Sequence, residues 1–268
     1  YAPNSTVANV GKIVSSATNL TSTVGVYGTN KTSIIATNGD IDLNKANQSQ
    51  VAYYLKGDGT AANDPSFSST STIGKVSGHG VGVLIEDILI DNNKLMDLDY
   101  TASSTGNGII GLVLKGNTFN AGNLDYTKEI TVGNTEASNS GLKDYAVALY
   151  TDAQQGTVSN NLIAGTEGVG LFAENGSILT YSGTIDVGDG TTSGTAIYVG
   201  NTTTPSTVTL NGSTINLNGT SGVGAIVTNG STFTFDAAST MNFYGDGVAM
   251  YGIGGSNIID NGGTVNGN

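Results

Sequence analysis

The chain has 268 residues, of which 40 are Gly, three are Pro and none is Cys or Trp, and its formal net charge is −12. All nine basic residues are Lys, so the composition argues against nucleic acid, which needs basic patches, and against an anionic membrane surface as partners. No disulfide can brace the fold, the Gly/Ser/Thr/Asn-rich sequence forms helices poorly, and 37% hydrophobic content is too high for a disordered tail.

Many short strands joined by tight turns fit that mixture. The opening YAPNSTVANV has no basic-then-apolar leader and reads as a point inside a longer chain. No apolar run approaches the ~18 residues of a membrane helix. A phrase then recurs, as in 168-GVGLFAEN-175, 194-GTAIYVGN-201 and 222-GVGAIVTN-229. Its small anchor residue stands at Gly25, Ala52, Gly82, Gly111, Ala148, Gly170, Ala196, Gly224 and Ala249, at intervals of 27, 30, 29, 37, 22, 26, 28 and 25 residues. Self-similarity at such a period marks a solenoid, whereas a propeller blade needs about 40 residues. Between phrases lie alternating runs such as STVTLNG, STINLNG and STFTFDA, broken by NG, DG or SG turns.

The expected fold is all-β: a right-handed parallel β-helix of about nine to ten coils, each of roughly 22–37 residues with three short strands, forming one unit over residues 1–268. Strict alternation would put the positions before and after each anchor (Val24 and Val26, Val169 and Leu171) in the core. The anchors would then face outward, together with the column two positions further on. Six members of that column are aromatic: Tyr27, Tyr54, Tyr150, Phe172, Tyr198 and Tyr251. They are the candidate binding residues, because aromatic surfaces grip sugars and flat protein faces. The competing expectation is a self-stacking ladder that shields strand backbone beside glycine, and a third is a loop lying over it. Two stretches break the rhythm, 57–75 and 116–145, and are expected to be loop insertions on one face.

Catalysis finds weak support. The one His, His79, lies in 77-SGHGVG-82, just before 86-EDILID-91. A Gly-His-Gly near paired carboxylates resembles polygalacturonases, but their Asp pair precedes that motif and their Arg-Ile-Lys segment is missing here. Glu86, Asp87, Asp91, Asp97 and Asp99 form the best carboxylate run, and a solvated face explains it better than a glycosidase pair or a Ca²⁺ site. The GDG triplets at 57, 188 and 245 lack a calcium-binding nonapeptide repeat and read as turns. Nine Asn-X-Ser/Thr sequons, including those at Asn30, Asn175 and Asn229, are expected by chance from this composition. An ice-binding array needs threonines in register, and the TFTF and TSTV segments read as out of register. No metal, cofactor or catalytic residue is therefore expected.

A Cys-free, acidic, Gly/Asn/Thr-rich chain whose coils are phrased GVGLF, GTAIY and GVAMY resembles the passenger region of large Gram-negative autotransporter adhesins, and more narrowly the very long ones of AT-rich anaerobes. The resemblance covers roughly residues 20–268. It implies export through a C-terminal membrane β-barrel outside this sequence, and display on the cell surface. It also implies adhesion to host receptors, host glycans or other bacteria, by a monomer that does not itself enter a membrane. The alternatives are a purely structural stalk for a distal tip and, third, a polysaccharide-degrading enzyme.

Overall fold

In a computed structural model, the structure describes residues 4–9, 11–14, 22–36, 39–43, 49–67, 76–78, 80–90, 100–103, 109–116, 118–119, 129–133 and 146–267. Among them there is no α-helix, and every strand pairing is parallel, each strand bonding to its counterpart one coil away. The chain is a three-walled parallel β-solenoid. The first wall is a nine-stranded sheet with one strand per phrase, from Ser22–Thr29 through Val169–Glu174 to Gly247–Gly252. The third wall has ten strands, from Ile13–Val14 to Thr264–Gly267.

The second wall corrects the expected coil number. It is continuous over only seven strands, from Leu89–Ile90 to Asn257–Asp260, so about seven uninterrupted turns replace the nine to ten expected. Three earlier strands, Thr6–Asn9, Ser33–Ala36 and Ser66–Phe67, form a separate sheet. The break follows from the excursion after Lys56. That segment runs through a 3₁₀ turn at Ala61–Asn63 and leaves only two residues, Ser66 and Phe67, for the wall strand. The described part of 57–75 is therefore a loop ending in a strand, and residues 68–75 lie outside the described residues. The 116–145 stretch supplies strands Thr118–Phe119 and Glu129–Gly133, and residues 134–145 again lie outside.

The face assignment on the first wall also needs correcting. Alternation breaks at the anchor: Ala52, Ala148 and Ala196 are completely buried, and so are Tyr53, Leu149 and Ile197 directly after them. The residues before the anchors turn outward instead, and Val24 is 42% exposed. Register pairs run Val147↔Val169 and then Leu149↔Leu171, passing over the anchors, and the same gap recurs in neighbouring rungs. The wall thus bends at each anchor and drives it toward the third wall. A Cβ on Gly25 would stand 3.1 Å from Ile41 Cδ1, and one on Gly224 would collide with Met241 Sδ. The anchor is small because the core is narrow there.

The corner between the first and second walls explains a recurring piece of sequence. Consecutive left-handed residues sit at Asn30–Lys31, Asn175–Gly176 and Asn229–Gly230, with φ between 47° and 80°. Each pair is the centre of a type I′ turn, which needs positive φ at both positions and so favours Asn-Gly. The turns close with Thr32 N–H donating to Thr29 O at 3.1 Å, Ser177 to Glu174 at 3.2 Å and Ser231 to Thr228 at 3.1 Å. The hydroxyl residue that follows is buried and satisfies backbone in the adjoining coil. Ser177 Oγ accepts from the Gln154 N–H at 3.2 Å, and Ser231 Oγ from the Ser206 N–H at 3.0 Å. Three of the sequons are therefore this corner written in residues, not chance: a left-handed Asn, then a buried Thr32, Ser177 or Ser231.

Candidate functional site

Register builds the outer column of the first wall directly. Tyr27 pairs with Tyr54, Tyr150 with Phe172, Phe172 with Tyr198, and Ile226 with Tyr251. Leu84 and Val113 interrupt the rings between Tyr54 and Tyr150. The structure therefore brings the six candidate residues into one column but separates them into a pair, a triplet and an isolated Tyr251. Within the triplet, Tyr150 and Phe172 have centroids 5.4 Å apart with planes at 20°, and Phe172 and Tyr198 are 4.7 Å apart at 2°. Tyr27 and Tyr54 are 5.1 Å apart and tilted by 54°. The rings of the triplet use their faces on one another and present edges outward. Tyr54, Tyr150, Phe172 and Tyr198 are half-buried, while Tyr27 and Tyr251 are 37% and 52% exposed.

Two of the hydroxyls are engaged too. Tyr54 donates to Glu86 Oε2 and Tyr150 to Glu174 Oε1, in each case a carboxylate one coil on. Burial first, and then the hydrogen bond to the carboxylate, pushes both phenols far above the ordinary tyrosine range. Glu86 is the hub: Lys56 Nζ lies 3.2 Å from its Oε2 and Lys115 Nζ 3.2 Å from its Oε1. These residues form the column two positions beyond the ring column, beside Tyr54, Leu84 and Val113 in turn. Burial of the Glu86 carboxylate works to raise its pKa, but hydrogen bonds from Tyr54, Lys56 and Lys115 outweigh it and hold the group below the ordinary glutamate value of 4.5.

A depressed folded-state pKa means that Glu86 contributes stability above the unfolded value, and that this is lost as pH falls through the folded one. Glu86→Gln is expected to cost about 1 kcal/mol at neutral pH, since both lysines are partly solvated. It should also flatten the loss of stability on acidification below 4.5. Urea unfolding followed from pH 7 downward checks both; parallel curves for the two proteins would refute the role of Glu86 as hub.

The acidic run offers no catalytic pair among the described residues. Glu86 is clamped as above, Asp87 sits in a left-handed turn 3.9 Å from Lys56, and His79, Asp91, Asp97 and Asp99 lie outside the described residues. Beside the clamp is a cleft of about 480 Å³, lined by Lys56, Asp58, Asp87 and Leu89 over a floor of Gly57 and Gly116. Asp58 is turned to its own loop, accepting from Thr60 N–H at 2.9 Å and Asn63 Nδ2 at 3.1 Å. In a second GDG triplet, Asp189 accepts from Thr191 N–H at 2.9 Å. Both are Asx turns. Among the described residues no three His, Asp or Glu are grouped to hold a metal ion, and no helix is long and apolar enough to cross a membrane.

No known family profile, curated protein or solved structure matches this chain. The functional reading rests on fold and chemistry.

Two features of the site differ in how far sequence pattern reaches them. The clamp joins residues 30 apart, and nothing in either phrase singles out Glu86 from its neighbours. The ring–carboxylate pairing is within reach: Tyr150 and Glu174 stand at fixed offsets from successive anchors, so a cross-coil reading of the two outer columns together pairs them.

Proposed function

We propose that this chain is a spacer segment of a β-helical passenger on a Gram-negative cell surface, holding a distal part of the same protein away from the membrane. The observation that carries the reading is the outer column, where Tyr150, Phe172 and Tyr198 stack face to face and the Tyr54 and Tyr150 hydroxyls bind carboxylates of the next coil. A sugar-binding stripe would offer ring faces, not edges. The parallel solenoid is the architecture that the passenger resemblance implies. In it each coil contacts only its neighbours, so length can be added without changing the fold. Display outside the cell, and anchoring through a C-terminal barrel beyond this sequence, are parts of the same proposal.

Adhesion is the second reading, favoured by the exposure of Tyr27 and Tyr251. It assigns as partner a host-cell receptor or glycan, or another bacterium. The experiment is binding of the purified chain to intact mammalian and bacterial cells, with free sugars as competitors. A Tyr150→Ser/Tyr198→Ser variant of retained fold runs in parallel. The spacer reading expects no saturable binding by either protein. Saturable binding abolished in the double variant would establish the column as an adhesive surface and overturn it.

A further inference from the structure

The three walls differ in what their outward polar groups do. On the first, the Tyr54 and Tyr150 hydroxyls are committed to carboxylates. On the third, the Asn216, Asn242 and Asn266 amides each donate to the preceding coil, at 2.6, 2.8 and 2.9 Å, in a ladder that ends on Asp186. The third wall also stacks Thr184, Thr214, Thr240 and Thr264 in one column, but the column beside it is this amide ladder with its charged Asp186. The second wall carries no such ladder among the described residues. Thr157 stacks on Thr180, Thr180 on Thr209 and Thr209 on Thr234, and in the adjoining column Thr207 stacks on Thr232. Sequence spacing reads the TFTF segment as out of register; the strand pairing puts its Thr232 and Thr234 opposite Thr207 and Thr209. All six are half-buried strand residues, and their hydroxyls have no partner among the described residues. The two columns carry no charged side chain from Gln155 and Thr157 to Asn257 and Ile259, in a chain of net charge −12.

We propose that this face of the second wall is an ice-binding surface, its threonine grid holding water in an arrangement that merges with the ice lattice. The main threonine column repeats at about 4.7–4.9 Å from coil to coil, close to a repeat that ice planes present, and on the strands Thr207–Leu210 and Thr232–Phe235 a second threonine stands roughly 6.6 Å along the strand. Threonine suits the task because β-branching restricts its χ1, so hydroxyl and methyl directions are set before binding. Order fixed in advance lowers the entropic cost of holding a lattice. The uncommitted hydroxyls anchor waters and the methyls between them keep the intervening waters caged. Charge would orient water against that pattern, and the columns carry none. A second copy is a poorer occupant. Five coils of this wall, about 24 Å tall on that spacing, offer far less than the ~800 Å² per partner of a stable interface.

The proposal stands apart from the spacer reading, because cell binding and ice shaping are measured separately. The test is ice-recrystallisation inhibition and crystal shaping under a cold-stage microscope, using the whole chain. Faceted crystals and arrested recrystallisation are expected for the unaltered protein, and loss of both for Thr209→Lys/Thr234→Lys. The control is Thr214→Lys/Thr240→Lys, at an equally half-buried stacked pair on the third wall, which should keep full activity. Circular dichroism verifies that each variant folds, and Thr232→Lys is a second probe in the adjoining column. Ice growth unaffected by the folded, unaltered chain overturns the proposal, as does equal loss in the second-wall and third-wall pairs.

Discussion

Phe233→Ala is expected to destabilise the C-terminal coils by about 3–5 kcal/mol, the range for emptying a buried aromatic site. Phe233 is fully buried on the strand Thr232–Phe235, and its register partners are Val208 in the preceding coil and Ile258 in the following one. Its ring therefore fills a level of the core that these two aliphatic side chains do not close by themselves. The cavity has little way to collapse from the Val208 side, because moving Val208 toward it would pull its strand out of a ladder paired on both sides. In a solenoid, stability is a sum of coil and neighbour-interface terms, so the loss should be local. Hydrogen exchange is the measurement. Amides of Thr207–Leu210 and Asn257–Asp260 should lose protection, while those of Ser22–Thr29 at the other end keep theirs. A uniform fall along the chain would mean that it unfolds as one cooperative unit.

The phrase is the legible part of this fold. Nine anchors read from spacing correspond to nine strands of one wall, because a stacked coil repeats its apolar flank at each level and tolerates drift elsewhere. The face of each residue is less legible. Alternation is a rule for straight strands, and Val169, Gly170 and Leu171 follow it only if the wall does not bend between them. The bend leaves Val169 half-exposed and buries Gly170 and Leu171. Glycine in a strand signals a bend as well as a bare surface, and that second meaning is the operative one. The sequons err in the opposite direction: composition alone explains Asn175-Gly176-Ser177 as chance, although left-handed Asn-Gly followed by a buried hydroxyl is turn chemistry with a position in the fold. As for the site, the aromatic column is visible in the sequence, but its chemical state is not. Whether a ring shows its face or its edge depends on what stacks above it, and no single phrase contains its neighbour.

Gly170→Val tests the reversed face assignment, because the two orientations predict opposite signs. Were Gly170 directed to water, valine would stabilise the strand, since glycine in a strand costs roughly 0.5–1 kcal/mol relative to alanine and β-branched residues favour extended backbone. Directed inward, the first added carbon would already collide with Ile185 Cγ2 and lie 2.7 Å from the Ala196 carbonyl oxygen. Ile185 is completely buried on the strand Thr184–Val187, so it has no solvent to retreat into. The carbonyl belongs to the next strand of the wall and moves only if the pairing of Val169 with Thr195 and of Leu171 with Ile197 moves too. Overpacking of this kind costs about 1–3 kcal/mol for modest insertions, and valine brings two further methyl groups into the same gap. The expected result is a loss at or above the top of that range, read as a Tm lowered by roughly 6–12 °C at about 2–4 °C per kcal/mol for a domain of this size. Val169→Thr, one residue earlier and half-exposed, should change stability by no more than about 0.5 kcal/mol. A stabilised Gly170→Val would return the anchors to the outer surface. It would also leave their small size without a cause, since an outward column has no opposing wall to meet.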